Sequence, residues 1–410
     1  MSILKRISIK SFPNHDQGIF IKDLVKLIET SEYKSDLINV FNIEAIKNQF
    51  IELPGATTLI ENILTMEERV TKLDLVNTQL CNVRCKKITE NSQAILEFTN
   101  VTNKDLIRRE RSDMVYAETA YSVRQDYLNG FFDIDKYLSF LKKSNYEDLI
   151  EYNLDQLKKK TEDDTREYNF RLVYDEEGKL YTRAITSSAV YKDYNIGFSV
   201  FVALIQMHNL IENQGEKFKV DSLNLNESEI SVVFRNLETY QFLDKSKISF
   251  ALELTNDEIK REAVKFSGLY KISLNTSDIT LKPDEGKANI LSFKHSSKPK
   301  TVKDKIGELN VSIAEFISET IDDFKLIKNA KKPDDLRLNL IKRAKFAGDS
   351  DFKKYKSDII KVLSIRVSTI FQLLEIVSKT ETIFSDEDVQ AKDFWRFKLY
   401  QSLIEDLKKQ

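Results

Sequence analysis

The chain has 410 residues, of which 41% are hydrophobic, and this is enough apolar material for more than one folded core. Ten Gly and five Pro are few for this length, so we expect many long helices. The formal net charge of −2 excludes a general electrostatic preference for nucleic acid or membrane, and two cysteines exclude a disulfide scaffold and favour a reducing compartment.

The N-terminus and the apolar runs predict a cytoplasmic protein. The first residues, MSILKRISIKSF, carry charge but lack the apolar core of a signal peptide. The longest apolar run, at 196–207, is shorter than the roughly 20 residues that span a bilayer. We therefore expect a soluble protein of the cytoplasm that does not contact a membrane.

Residues 1–160 have the pattern of a mixed, mainly helical N-terminal region. Apolar residues at helical spacing and at alternate positions distinguish its segments. We predict, in chain order, a strand within 3–12, helices from 19 to 66, strands from 73 to 101 and helices from 103 to 160. The charged run at 157–167 then predicts a boundary.

Residues 168–295 have the pattern of a β-rich central domain. Apolar and polar residues alternate on both sides of DEEG at 175–178, and again in KISFALEL at 247–254 and LYKISLN at 269–275. The short connections predict antiparallel pairing. The segment 195–213 has apolar residues on most faces, which predicts a buried helix.

Residues 301–410 read as a helical C-terminal region, in which one long helix is predicted from 355 to 379. The last helix carries an apolar stripe that includes Phe394 and Trp395. The chain as a whole is predicted to be α+β, with a central antiparallel sheet and a buried helix between a mixed N-terminal region and an all-helical C-terminal region.

The stretch RLVYDEEGKLYTRA contains a Glu-x-Lys pattern at Glu177 and Lys179, as found in some metal-dependent nucleases. The pattern lies where two alternating runs meet. Asp, Glu and Gly are typical of hairpin tips, because Gly supplies the positive φ of a tight turn. We interpret the stretch as a hairpin, and we interpret PDEGK at 283–287 in the same way.

The sequence contains no standard motif for catalysis or for a cofactor. It has neither a Walker A loop nor a G-x-G-x-x-G turn. Cys81 and Cys85 have no His or third Cys close in sequence for a zinc site. His208 lies on the buried helix and is predicted to be interior, whereas His295 lies in a polar segment and is predicted to be a surface-loop residue. We expect no catalytic residues, no metal and no cofactor.

Two basic segments are the positive functional signal. Residues 294–305 carry a net charge of +4 and residues 328–366 a net charge of +7, in a chain of −2. A basic loop with basic helices can follow a phosphate backbone without reading sequence. A solvated, lysine-rich helix face is the alternative explanation. The predicted contacts to DNA or RNA are Lys294, Lys298, Lys300, Lys342, Arg343, Lys345, Lys353 and Lys354.

Two other functions stay open beside this non-enzymatic nucleic-acid binder. The first is a protein-interaction, virion-assembly or anti-defence protein that uses the C-terminal helix around Phe394 and Trp395 for a partner or for self-association. Packing of this helix against its neighbours is the competing explanation. The second is a metal-dependent nuclease built from scattered carboxylates, since 65 acidic residues offer many combinations.

Four stretches between 168 and 297 resemble a known family. They are FRLVYDEEGKLYTRAITSSAVYKDYN, VFVALIQM, LELTNDEI, and GLYKI together with FKHSS. Their layout is similar to a family of uncharacterised phage- and plasmid-associated proteins that is known only as a domain of unknown function. The resemblance implies a phage or other mobile element as the origin, and hence the host cytoplasm as the location. It implies no activity and no catalytic residue.

Overall fold

The fold was analysed in a computed structural model that describes residues 3–243, 246–259, 263–275, 277–385 and 388–408. Its strands are β1 (Ile7–Ile9), β2 (Ile19–Phe20), β3 (Phe50–Ile51), β4 (Thr71–Gln79), β5 (Val83–Ile88), β6 (Ala94–Phe98), β7 (Val115–Thr119), β8 (Glu167–Tyr174), β9 (Leu180–Ser187), β10 (Phe218–Leu225), β11 (Glu229–Asn236), β12 (Tyr240–Leu243), β13 (Ser246–Asp257), β14 (Val264–Ser273), β15 (Asp278–Leu281) and β16 (Asn289–Phe293).

Helices lie between and after these strands. They are α1 (Ile21–Leu24), α2 (Lys34–Val40), α3 (Ile43–Ile46), α4 (Ala56–Arg69), α5 (Lys104–Glu110), α6 (Val123–Leu128), α7 (Asp135–Lys143), α8 (Glu147–Lys160), α9 (Ile196–Gln214), α10 (Glu285–Ala288), α11 (Pro299–Lys328), α12 (Pro333–Phe346), α13 (Lys356–Leu363), α14 (Ile370–Thr380), α15 (Val389–Tyr400) and α16 (Asp406–Lys408). Among the described residues, no helix is both long and apolar enough to cross a membrane. The predicted α+β class is confirmed.

The larger sheet is antiparallel and curls into a half-barrel. Its strand order is β1-β10-β11-β13-β14-β15, with β12 on β13 and β16 on β14. The apolar face of the sheet, including Val232, Leu252 and Phe266, belongs to one continuous core with α9. Strand alternation thus places one face of the sheet in the core and leaves the other for polar side chains.

Helix α9 is the buried helix that the apolar pattern predicts. Its side chains from Ile196 to His208 are all buried, so apolar residues on every face are required. Gly197 lets the helix approach the backbone before α2, because a Cβ there would lie only 2.0 Å from the carbonyl oxygen of Leu27. Gly215, with φ of +69°, ends the helix in the left-handed conformation that suits glycine.

The smaller sheet has the order β4-β8-β9-β7-β6-β5, and only its β7–β9 pair is parallel among the described pairings. Helices α5–α8 cover this sheet and share its separate core. Strands from both sides of the charged run 157–167 therefore lie in one sheet. In the same way, β1 near the N-terminus pairs with β10 of the larger sheet.

The hairpin predicted at DEEG is confirmed. Gly178 has φ of +82°, and the N–H of Asp175 donates to the carbonyl of Lys179 between β8 and β9. The hairpin predicted at PDEGK is wrong. There the chain forms the short helix α10 between β15 and β16, which pair with different halves of β14.

The C-terminal region is helical, as predicted, but the single helix expected from 355 to 379 is wrong. It is divided into α13 and α14, because Thr369 begins a new helix with a capping box to Gln372. In α15, Trp395 is fully buried, stacks on Phe352 and donates its indole N–H to Thr380 at 2.8 Å. This ring is used for packing within the chain.

Candidate functional site

The predicted basic loop is exposed at its three lysines, Lys294, Lys298 and Lys300. They lie between the end of β16 and the first turn of α11. None of the three has a carboxylate partner among the described residues. The loop therefore offers its charge to solvent.

His295 lies in this loop, and its predicted surface position is wrong. The ring is only 7% exposed and stacks on Tyr191, with 5.0 Å between the ring centroids. The N–H of Lys192 donates to the carbonyl of His295 at 2.6 Å, which ties the loop to the segment before α9. Burial lowers the pKa of His295, so the neutral imidazole is favoured.

The predicted helical contacts divide into free and neutralised cations. Arg343 is half-buried and contacts Asp406 at 2.8 Å, and Lys354 contacts Asp388 at 2.8 Å. The hydrogen bond to Asp388 raises the pKa of Lys354. Lys342, Lys345 and Lys353 are exposed, and none has a carboxylate within 4 Å in the described part of the chain.

An exposed aromatic ring lies beside one of these lysines. Phe346, the last residue of α12, is 78% exposed. The ammonium of Lys345 lies 5.8 Å from the centre of this ring, and Lys342 lies one helical turn earlier. Lys353 follows after the turn that leaves the helix. We call Lys342, Lys345, Phe346 and Lys353 the basic platform.

The basic loop and the basic platform lie on different elements of the chain. Helix α11 has 30 residues and is therefore about 45 Å long. The loop lies at its N-terminal end, whereas α12 begins after its C-terminal end. The connection from Lys328 to Pro333 spans at most about 18 Å, and the part of α12 up to Lys342 spans about 14 Å. Since Lys300 lies about 42 Å from Lys328 along a straight α11, the Cα atoms of Lys300 and Lys342 are at least about 10 Å apart.

A polar pocket of about 420 Å³ lies beside the smaller sheet, and motif-based reasoning missed it. Arg171 on β8, which is 3% exposed, forms its floor. The guanidinium contacts one carboxylate oxygen each of Asp74 and Asp193, and also the Tyr191 hydroxyl and the Glu258 carbonyl, both at 3.2 Å. The available sequence signal was Arg171 itself, an arginine between the core residues Phe170 and Leu172 of a strand.

A buried ionic cluster joins the two sheets next to this pocket. Glu258, at the end of β13, contacts Arg183 of β9 and Lys72 of β4, each at 2.7 Å. Its other oxygen accepts the N–H of Ile196 at the start of α9, at 2.9 Å. Although burial opposes ionisation, the cations Lys72, Arg183 and Arg171 hold the pKa of Glu258 well below its usual range. This cluster fixes the position of α9, β9 and β4 relative to the end of β13. Both carboxylate oxygens and the carbonyl oxygen of Glu258 already have partners.

No group of three or more His, Cys, Asp or Glu side chains in the described ranges is arranged to hold a metal ion. Cys81 and Cys85 are both free thiols. Comparison of the chain with protein-family models, with curated proteins and with solved structures finds no match in any of the three.

Proposed function

We propose that this chain is a non-enzymatic protein that binds single-stranded nucleic acid at the basic platform, with the basic loop as a second contact. One observation carries the proposal: Phe346 is 78% exposed beside Lys345, which has no carboxylate partner in the part of the chain that the structure describes. An exposed ring among cations matches the way proteins hold single strands, by stacking a base and neutralising phosphates. Such contacts do not depend on sequence.

The charge distribution supports the same ligand. Six of the eight predicted cations remain exposed without a partner among the described residues. Arg343 and Lys354 are neutralised by Asp406 and Asp388, so they contribute little to an anion site. A protein-interaction role for the C-terminal helix has weaker support, since the Trp395 ring is buried. The mobile-element origin and the cytoplasmic location are part of the proposal and rest on the sequence resemblance and the free thiols.

Binding of a labelled single-stranded oligonucleotide tests the stacking contact. We expect Phe346→Ala to weaken binding by about 1–3 kcal/mol, the usual contribution of one stacked base. Phe140→Ala is the matched control, because Phe140 on α7 is also an exposed phenylalanine. Equal affinity of the wild type and Phe346→Ala would refute the stacking contact.

The salt dependence of binding tests the lysines. Each phosphate contact adds about 0.7 to the logarithmic salt slope for a single strand, so the variant Lys342→Gln/Lys345→Gln/Lys353→Gln should lower the slope by about 2 between roughly 50 and 200 mM salt. The control Lys158→Gln/Lys159→Gln/Lys160→Gln changes the net charge equally on the exposed end of α8. An identical loss in both triple variants would mean that only net charge matters.

A further inference from the structure

The polar pocket beside the smaller sheet has the features of a separate ligand site. Its walls come from residues 30–32, from β4, β8 and β9, and from the segment 191–195. The side chains that line it are mostly carboxylates, amides and hydroxyls. Because these groups come from five places in the chain, only the folded state brings them together.

Three of the buried polar atoms that lack a hydrogen-bond partner among the described residues belong to this pocket. Arg171 occupies one oxygen of Asp74 and one of Asp193, and the second oxygen of each carboxylate is buried without a hydrogen-bond partner in the described ranges. The hydroxyl of Thr186, a residue only 1% exposed, likewise has no partner within the residues that the structure describes. Buried polar atoms normally have partners, so three such atoms in one pocket point to a ligand that supplies them.

The charge of the lining indicates the kind of ligand. The carboxylates of Glu32, Asp74 and Asp193 face a single lining cation, Arg171. A neutral or anionic ligand would leave two negative charges uncompensated. An ammonium or guanidinium group carries several N–H donors and a positive charge, and therefore satisfies both the orphaned oxygens and the charge.

The backbone at the mouth of the pocket has an irregularity of the kind often found beside binding sites. The β4–β8 ladder is interrupted between Leu75 and Thr78, and Asn77 there has φ of +51°. The bulge turns the Asn77 side chain out of the regular alternation, and the N–H of Asn77 is held by the side chain of Asn169 at 2.9 Å. Both asparagines line the pocket, which adds amide oxygens for further N–H donors.

We propose that this pocket binds a small organic cation, an amine or a guanidinium, whose N–H groups donate to the free oxygens of Asp74 and Asp193 and to Thr186. In the described part of the chain no group of three or more His, Cys, Asp or Glu side chains is arranged to hold a metal ion, so the lining fits such a cation better than a divalent metal, which takes six or more oxygen ligands at short distance. The site is separate from the basic platform, which attracts anions.

Calorimetric titration with agmatine and with spermidine tests the proposal on the full chain. We expect saturable binding of at least one of them, and Asp193→Asn should weaken it about 10- to 100-fold because a charge-assisted hydrogen bond is lost. Thr186→Val should weaken it about 2- to 10-fold. This second variant keeps the shape of the side chain and removes a hydroxyl that has no partner among the described residues, so its folding should be unaffected.

Controls separate a built site from general attraction to negative charge. Glu177→Gln, at the exposed tip of the β8–β9 hairpin, removes one acidic charge and should leave agmatine binding unchanged. 1,8-Octanediol, an uncharged flexible chain with the same number of chain atoms as spermidine, should not bind. The proposal is overturned if neither amine binds at millimolar concentration, if Asp193→Asn and Thr186→Val bind as the wild type does, or if calcium binds there in place of the amines. Oligonucleotide binding by Thr186→Val should stay at the wild-type level, so failure of this site is distinguishable from failure of the basic platform.

Discussion

Lys392 on α15 is a largely buried cation among other cations. It lines a cavity of about 240 Å³ between α15 and the polar face of the half-barrel, where the other charged groups are the cations Lys10, Lys271 and Arg396 and the carboxylates Asp221, Glu253, Asp278 and Glu381. The closest carboxylate is Glu381, at 3.9 Å from the ammonium. Burial, followed by the charge of Arg396, lowers the pKa of Lys392 to about 8 despite Glu381. The folded state therefore disfavours the protonated form of this side chain.

The shift has a definite consequence for stability. In the unfolded chain the pKa is near 10.5, so between pH 8 and 10.5 the unfolded state binds a proton that the folded state has released. The buried ammonium thus lowers the free energy of unfolding by its full amount below pH 8. This penalty disappears as pH rises toward 10.5, so stability increases over that range. The difference between 10.5 and about 8 corresponds to about 3 kcal/mol at 1.36 kcal/mol per pH unit.

We expect Lys392→Met to raise the free energy of unfolding at neutral pH by up to about 3 kcal/mol, because the buried charge is removed while the aliphatic packing is kept. The gain should shrink as pH rises through 10.5 and approach zero only about one pH unit higher, where the wild-type lysine is largely neutral in both states. Urea unfolding across this range measures it. Lys379→Met, on the exposed side of α14, is the control and should change stability by less than about 0.5 kcal/mol. A gain that is the same at every pH would contradict the account.

At the scale of elements, Glu258 connects a strand end, a helix start and the second sheet. It accepts the first N–H of α9 at Ile196 and contacts Arg183 on β9, and all three residues are buried. Carboxylates stabilise helix N-termini, and a buried ion pair is costly to break because the remaining charge stays without a partner. The relative position of α9, β13 and β9 therefore depends on this one side chain.

We expect Glu258→Gln to lower the free energy of unfolding by about 3–5 kcal/mol, and Arg183→Met to have a similar effect. The double variant should cost less than the sum of the two, since the loss of Glu258 then no longer leaves Arg183 as a buried charge without a partner; the Lys72 contact is lost equally in Glu258→Gln and in the double variant. Because the folded pKa of Glu258 is depressed, its contribution is present above the unfolded pKa near 4.5 and is lost as pH falls toward the folded value. Denaturant unfolding of the four proteins gives the coupling energy, and strict additivity would show that the contact contributes nothing.

Local sequence patterns predicted helix α9 and the β8–β9 hairpin correctly. The features that the sequence did not predict depend on partners that are distant in the chain. The α9 helix and the β8–β9 hairpin follow from the spacing of apolar residues and from Gly178, which are visible within 20 residues or so. The burial of His295 depends on Tyr191 and Lys192, about a hundred positions away, and Arg171 finds Asp74 at a separation of 97 residues. Pairing of Arg343 and Lys354 with acidic residues was also invisible to a count of charges. Strand alternation identifies a buried face but does not encode which strand or side chain covers it.

On the scale of the whole molecule, the β8–β9 hairpin belongs to both hydrophobic cores. Phe170 and Leu172 on one face of β8 pack in the core of the smaller sheet, whereas Val173 on the other face packs in the core that contains α9. Glu227 extends this connection, because its carboxylate accepts the Tyr121 hydroxyl and the backbone N–H of Leu4. Unfolding of the β8–β9 hairpin would therefore expose apolar side chains of both cores.

We therefore expect the chain to unfold as one cooperative unit, although 410 residues usually divide into independent domains. Differential scanning calorimetry should give a single transition with calorimetric and van't Hoff enthalpies that agree. The variant Glu258→Gln/Arg183→Met loosens the contact between the sheets and should broaden or split this transition, whereas Lys158→Gln/Lys159→Gln/Lys160→Gln should leave its shape unchanged. Two resolved transitions in the wild type would show that the shared hairpin does not couple the cores. A single transition in the wild type that splits in Glu258→Gln/Arg183→Met would show that the contact between the sheets makes unfolding cooperative. The two faces of the β8–β9 strand pair pack in different cores, so each core then unfolds only when the other does.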